Sequence, residues 1–189
     1  MANVIKTSAK AVKFTKPSYI VATLFAEGDT DTPSGDVFIL EDIKRDTTSI
    51  TQDENSETKI ERETSDTPIY SVVTLGSYQF TAECADTQAD LLQGLCGFKV
   101  VDGKAYAPAT YVDRYAKIDV VKEMASGKLM AYVLPKVQLN SRVVVESMNS
   151  DLGKINFAGT GQNIHVTDGD REFQSPFYTD DNYTLPTGT

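Results

Sequence analysis

The feature that most restricts the fold is an interruption between two strand-like runs. Val37-Phe38-Ile39-Leu40 and Ile69-Tyr70-Ser71-Val72-Val73 both carry the β-branched and aromatic content of strands. Between them, Lys44 to Thr67 supplies 24 residues with only two large apolar side chains, Ile50 and Ile60, among nine Ser/Thr and seven acids. A segment of that length without structure of its own is unusual inside a compact domain, and such loops are as a rule functional or disordered. Its residues tolerate the β conformation, and neither Gly nor Pro interrupts it before Pro68. The expected structure is an extended hairpin that projects from the body. An isolated two-stranded hairpin is marginal in water, so the contacts it lacks come from a partner chain. A surface loop with no partner is the alternative.

The rest of the chain reads as short strands around one helix. Tyr19 to Ala26 is an apolar run of eight that follows four lysines and faintly imitates a secretory signal. Its β-branched and aromatic residues fit a strand better, and no other targeting segment stands out. From Thr74 to Cys84, Tyr78, Phe80 and Ala82 alternate with Gln79, Thr81 and Glu83. Thr87-Gln88-Ala89-Asp90 fits a capping box, and Leu91, Leu92, Leu95 and Cys96 form a short apolar stripe closed by Gly97. That helix packs Leu91, Leu92 and Leu95 against a sheet, although Gly94 inside it costs about 1 kcal/mol relative to Ala. Tyr115 to Met124 and Leu129 to Leu139 are two strands joined at Ala125-Ser126-Gly127-Lys128, with Pro135 marking an edge or a bulge. Further strands are expected at Arg142 to Ser147 and around Ile155, Phe157 and Gly159. Residues 166–189 read as an extended, acidic, poorly self-packed tail. The fold class is mainly β (α+β): a sandwich or barrel of two packed antiparallel sheets, one flanking short helix and a long projecting hairpin.

A chain of 189 residues can bury roughly two thirds of its unfolded surface, so residues 1–189 form a single domain. The net charge of −9 argues against a protein that grips phosphate backbones. It is unevenly spread: Lys6, Lys10, Lys13 and Lys16 put +4 on a basic arm (1–18) with no acid before residue 27, leaving −13 on the remainder. The arm is either a solvated tail or a contact to the acidic surface of a neighbouring copy.

Catalytic and metal chemistry find little purchase. The only histidine, His165, reads as a half-buried strand residue rather than a triad or zinc member. Cys84 and Cys96, with eleven residues between them, form no C-x-x-C pair and read as reduced, buried thiols. Phosphate-binding glycine motifs are absent. Asp29-Thr30-Asp31-Thr32-Pro33-Ser34-Gly35 opens like a calcium loop, but Pro33 stands at a ligand position and the glycine comes late. Asp168-Gly169-Asp170 is a turn signal, and without Trp the favoured sugar-stacking side chain is missing. No catalytic residue, cofactor or metal is assigned.

Taken in order, these elements resemble the tail tube proteins of long-tailed bacteriophages. The resemblance rests on the strand Val37 to Leu40, the acidic loop with Glu57-Thr58-Lys59-Ile60-Glu61-Arg62-Glu63, the strand Leu75-Gly76-Ser77-Tyr78-Gln79-Phe80-Thr81 and the helix at Asp90 to Cys96. The hairpin across Ser126-Gly127, then Lys136-Val137-Gln138-Leu139, and Gly153-Lys154-Ile155-Asn156-Phe157-Ala158-Gly159-Thr160-Gly161 complete it. It covers roughly residues 19 to 165. Its implication is a virion protein, made in the cytoplasm of a bacterial host, that forms hexameric rings stacked into a tube for genome ejection. The partners implied are further copies of the chain, other tail proteins and double-stranded DNA that passes without being bound. No membrane is involved. The inter-subunit contacts expected on this basis are Ile50, Glu54, Glu57, Lys59, Ile60, Glu61, Arg62 and Glu63 of the 44–67 loop, with Lys6, Lys10, Lys13 and Lys16 of the arm bridging subunits. An acidic lumen would repel the duplex and leave a water-filled path. The inner tube of a contractile tail or secretion apparatus is the nearest alternative, a β-sandwich adhesion or carbohydrate-binding module is the next, and an enzyme is the least supported.

Overall fold

The structure, a computed structural model, describes residues 14–26, 32–62, 65–145, 153–168 and 171–186, of which 14–18, 60–62, 65–69 and 171 are described by their backbone alone. The strands are β1 (Phe14–Leu24), β2 (Val37–Leu40), β3 (Ser49–Gln52), β4 (Ser56–Arg62), β5 (Ser65–Thr74) and β6 (Tyr78–Cys84). Helix α1 (Ala89–Cys96) follows, then β7 (Lys99–Val101), β8 (Lys104–Tyr106), β9 (Tyr115–Met124), β10 (Leu129–Leu139) and β11 (Arg142–Val144). The chain ends in β12 (Lys154–Gly161), β13 (Ile164–Asp168), β14 (Arg171–Ser175) and β15 (Tyr178–Asp180).

A nine-stranded antiparallel sheet in the order β2-β1-β9-β10-β12-β6-β3 carries the body, with β11 added on β12 and β15 on β10. Its pivot is β10. Ala131 to Val133 pair with Tyr178 to Asp180 of β15, whereas Val137 to Leu139 pair with Gly159 to Gly161 of β12. The change of partner falls at a register shift between Leu134 and Val137, where Pro135 supplies no ladder donor. The proline therefore marks a bulge in an interior strand rather than an edge. The β9–β10 hairpin turns at Gly127, whose φ of 78° suits a residue without Cβ, and Met124 N–H donates to Lys128 O at 2.9 Å.

Strand alternation explains how the sheet buries both faces of its centre. Ile20 and Ala22 of β1, Ala116, Ile118 and Val120 of β9, and Leu134 of β10 face a core shared with Phe80 and Ala82 of β6 and Ile155 and Phe157 of β12. Phe80 and Phe157 meet edge to face at 5.0 Å. After β2 the chain crosses to the other half of the sheet, where Ile43 makes an isolated bridge with Cys84 and Lys44 N–H donates to Glu83 O at 2.8 Å. On the opposite face, Val21, Val121, Ala131 and Val133 form a second cluster beneath Tyr19, Leu129, Tyr183 and Leu185.

That second cluster overturns the reading of 166–189 as a poorly packed tail. Strands β13 and β14 form a hairpin with Asp168 opposite Arg171, β15 extends the main sheet, and Tyr183 and Leu185 lie on it. Beneath this strap sits Asp119, 2% exposed. Its Oδ2 accepts from Lys117 Nζ at 3.0 Å and from the Tyr183 hydroxyl at 2.8 Å, while Oδ1 is buried without a partner. Burial pushes the Asp119 carboxyl above the usual carboxylate range, with the two donors pulling the other way and Asp180 adding to the rise. Burial also holds the Tyr183 and Tyr178 phenols above their ordinary values.

Three smaller expectations change as well. The capping box does not form: Gln88 is the N-cap of α1 with no side-chain bond, and Asp86 Oδ1 instead accepts from Gln88 N–H at 3.0 Å. Gly97 closes the helix in the left-handed region at φ 76°, its N–H donating to Leu92 O. Leu91 and Leu95 are buried and Leu92 packs against the core. His165 is exposed on β13, opposite Gln174, rather than half-buried. Both cysteines are free; Cys84 is buried, and Cys96 is only half-buried. The arm 1–18 overlaps β1, which begins at Phe14 and pairs it with Met124. Among the described residues no helix is long and apolar enough to cross a membrane.

Gly94 lies where α1 meets β2: a Cβ there would stand 2.5 Å from Phe38 Cε2. Gly94→Ala would gain about 1 kcal/mol of helix propensity, but overpacking costs about 1–3 kcal/mol. Thermal melting should show net destabilisation, relieved when Phe38→Leu is added. A more stable Gly94→Ala protein would show that the ring yields freely.

Asp119 gives a pH dependence with a definite sign. A carboxyl raised by folding binds its proton more tightly in the native state, so its contribution to stability rises as pH falls from the raised value toward the ordinary one. Between about pH 7 and about pH 4, wild-type stability should therefore move upward relative to Asp119→Asn, measured by urea unfolding at each pH. The reverse trend would mean that Lys117 and Tyr183 outweigh desolvation.

Candidate self-association surface

The polar insertion divides at Asp53. Its first part belongs to the body: Thr47 Oγ1 donates to Lys44 O at 2.7 Å and accepts from Glu83 N–H at 3.1 Å, and β3 pairs with β6. Glu83 lies between Lys154 at 3.2 Å and Lys44 at 3.3 Å, and Lys154 first among them holds its carboxyl below the usual range. Ile50, expected as an inter-subunit contact, stands opposite Phe80 and packs half-buried against the main core.

Beyond Asp53 the chain leaves the body as a two-stranded ladder of β4 and β5 that, among the described residues, pairs with nothing else. Directly opposite residues share a face, so Thr58 with Val72 alternates with Glu57 and Val73, then Lys59 and Ser71. The ladder is irregular near Pro68, which stands opposite Glu61 between two register shifts. Ile69 to Val73, expected as a strand of the body, is the returning arm of this hairpin. Its apolar side chains are wet on both faces: Tyr70 is 61% exposed, Val72 40%, Val73 58%, and Leu75 at the root 72%. Among the described side chains of the hairpin, Lys59 Nζ lies 3.6 Å from Glu57 Oε2, a half-exposed pair that adds little.

The root is held tightly. Asp53 N–H donates to Ser77 O at 2.9 Å, Gly76 N–H to Asn55 Oδ1 at 3.0 Å, and Gln79 Nε2 to Asp53 Oδ2 at 3.0 Å. Gly76 is required there because a Cβ would fall 1.9 Å from the Asp53 carbonyl oxygen. The hairpin is thus a stiffly mounted apolar surface.

Next to β3, the two halves of the sheet leave a cleft of about 930 Å³. Ile20, Val120 and Ile50 line it, and one wall is an aromatic stack in which Phe177 lies 5.3 Å from Tyr78 and 6.2 Å from Tyr132. Lys122 Nζ sits 5.3 Å over the Tyr132 ring. Among the described strands, β2, with Val37 and Ile39 exposed, and β3 stand at the two ends of the main path of the sheet.

Of the expected contact residues, Glu54, Glu57 and Lys59 are exposed on or beside the hairpin. Ile60, Glu61 and Arg62 contribute backbone to β4, and their side chains lie outside the described residues, as does that of Lys16 in β1. Lys6, Lys10, Lys13 and Glu63 lie outside the described residues altogether. Sequence reasoning missed Tyr70, Val72, Val73 and Leu75, because β-branched runs of that kind signal a core strand. The available signal was their place directly after a polar segment with too little apolar area to reach the core. No family model matches the chain, and no curated protein matches it.

Gly76→Ala should force the root open. Overpacking against a backbone carbonyl costs about 1–3 kcal/mol, and hydrogen exchange should quicken at Asp53, Ser77 and the hairpin amides while β9 and β10 stay protected. Unchanged exchange at the root would show that the close approach is not needed.

Proposed function

We propose that this chain is a structural subunit that self-assembles through the β4–β5 hairpin into stacked rings, the tail-tube role that its order of elements resembles. The observation that carries the reading is a ladder paired only with itself, with Tyr70, Val72, Val73 and Leu75 in water, on a body that already has two buried cores. Exposed apolar side chains gathered on one hairpin of a self-sufficient domain mark an interaction site. Full burial of one such side chain is worth about 1.5–3 kcal/mol, so insertion against a neighbour would be strongly favourable. The contact joins unlike surfaces, and such contacts generate rings or filaments rather than closed dimers.

Charge supports a conduit. With −9 overall, the assembled wall offers duplex DNA little cationic surface on which to release counterions, so the polymer passes without being held. In this reading the protein is a component of the virion, probed by no catalytic chemistry, and the inner tube of a contractile tail shares the same assembly logic.

A second reading has its own observation: the cleft with Tyr78, Phe177 and Tyr132 along one wall suits a sugar-binding β-sandwich module. Negative-stain microscopy and size exclusion separate the two. Rings or tubes are expected from the intact protein, and a folded monomer with nearly unchanged melting is expected when residues 56–74 are replaced by a short turn that keeps Asn55 and Gly76. Tubes from that variant would remove the hairpin from the assembly. Monomers from the intact protein at high concentration, together with saturable glycan binding, would establish the module instead.

A further inference from the structure

Beside α1, the turn at Asp102 and Gly103, with φ of 50° and 74°, closes β7 and β8 into a tight hairpin. Its inner pair, Val100 opposite Ala105, is half-buried, while Lys99, Val101, Lys104 and Tyr106 on the outer face are all exposed. From Tyr106 the chain continues to Val112 with every residue exposed and none of them charged. Tyr106 is 53% exposed and Tyr111 62%. This stretch is held in place. The Tyr111 hydroxyl donates to Leu139 O at 2.8 Å, and Gln138 Nε2 donates to Asp113 Oδ1 at 2.9 Å. Like the β4–β5 hairpin at its root, it offers apolar side chains to water from a fixed mount. Charge distinguishes the two surfaces. Residues 53–75 sum to −4 with Lys59 and Arg62 included. Around the second surface Lys99, Lys104, Arg114 and Arg142 outnumber Asp102 and Asp113, a net +2 on a chain of −9. Arg142, exposed on β11, belongs to it because it lines one cavity with Pro108 to Val112.

Granted assembly through the β4–β5 hairpin, on which this rests, we propose that the outer face of β7–β8 with residues 106–112 is the acceptor for that hairpin on a second copy. The hairpin face with Glu57 and Val73 carries both chemistries the acceptor answers, whereas the face with Thr58 and Val72 has no charge among its described side chains. Val73 would be dried by Val101 and Tyr106, and Glu57 would lie toward Lys99 and Lys104. Apolar burial supplies the affinity, and the opposite charges steer the encounter and fix its register. The lysine stems cover apolar surface while their ammonium groups stay in water. Both surfaces are mounted before they meet, so little freedom is lost on docking. They are unlike and lie on different elements of the chain, so the contact runs head to tail and each copy keeps one donor and one acceptor free for the next.

Mixing two half-defective copies isolates the contact. In one copy residues 56–74 are replaced by a short turn, which removes the donor. The other carries Lys104→Glu and Tyr106→Asp, two exposed positions, which removes the acceptor. Each alone should sediment as a monomer with nearly unchanged melting, and the mixture should give a one-to-one pair that grows no further. Carbodiimide coupling of that pair, read by mass spectrometry, should join Glu57 of the acceptor-defective copy to Lys99 or Lys104 of the other. A charge swap reads the same contact in the full chain without a deletion. Lys104→Glu should raise the concentration needed for assembly about tenfold, and adding Glu57→Lys should recover most of that loss. Wild-type assembly by the Lys104→Glu, Tyr106→Asp protein, or coupling of Glu57 to another surface, would overturn the acceptor and leave assembly through the hairpin standing. A pair from the mixture, with an intact protein that never grows beyond small oligomers, would keep the acceptor and overturn the tube. Monomers from the intact protein and no pair from the mixture would overturn both.

Discussion

The change of partner along β10 is the constraint on which the rest of the structure depends. One strand joins β15 through its first half and β12 through its end, and the bulge at Pro135 lets it do both. A regular ladder would commit β10 to a single neighbour and leave the inward residues of β6 and β12 without a facing layer. With the bulge in place, Leu134 and Val137 reach the same core as Phe80 and Phe157. The cost of a missing ladder donor is local, while the gain is the joining of the two halves of the sheet.

From that joining follows the division between body and hairpin. The centre of the sheet is covered on both faces, one by its own other half and one by the C-terminal strap with Tyr183 and Leu185. Among the described residues β4 and β5 pair only with each other, and the ladder stands away with Tyr70 and Val73 in water. Asp119 shows what the strap costs: a carboxylate lies under it with one oxygen unpaired. Lys117 and Tyr183 offset part of that burial and tie the strap to β9 through a directional contact.

Where local pattern decides, the sequence was readable. Alternation around Phe80, the turn at Gly127 and the cap at Gly97 each depend on a few adjacent residues, and each lies where the pattern places it. Failures occurred where distant residues decide. Tyr183 and Leu185 are isolated apolar residues in a polar segment, and only the bare face of β1, β9 and β10 gives them a place. Val72 and Val73 have the composition of a core strand, yet the core is filled by residues as distant in sequence as Ile20 and Phe157. Ile50 was grouped with a polar segment that its neighbours left behind, because Thr47 and Ser49 dock on β6 by hydroxyl contacts that hydrophobic patterning does not see. Of the candidate surface, the projecting hairpin was foreseen, and its apolar side chains were not.

The two wet faces of the hairpin bear on how copies would meet in the proposed assembly. Val72 and Thr58 lie on one face, Val73 and Glu57 on the other. A ladder laid flat on one neighbour would dry one of these faces and leave the other in water. Insertion between two surfaces dries both. The two surfaces can be the walls of one cleft in a single neighbour or can belong to two neighbours. Where the hairpin of each copy enters the next copy in one direction, repetition of the contact gives an extended or closed array according to the rotation between copies. The stiff root at Asn55 and Gly76 favours such insertion, since a hairpin already held in position loses less freedom on docking than a loose loop does.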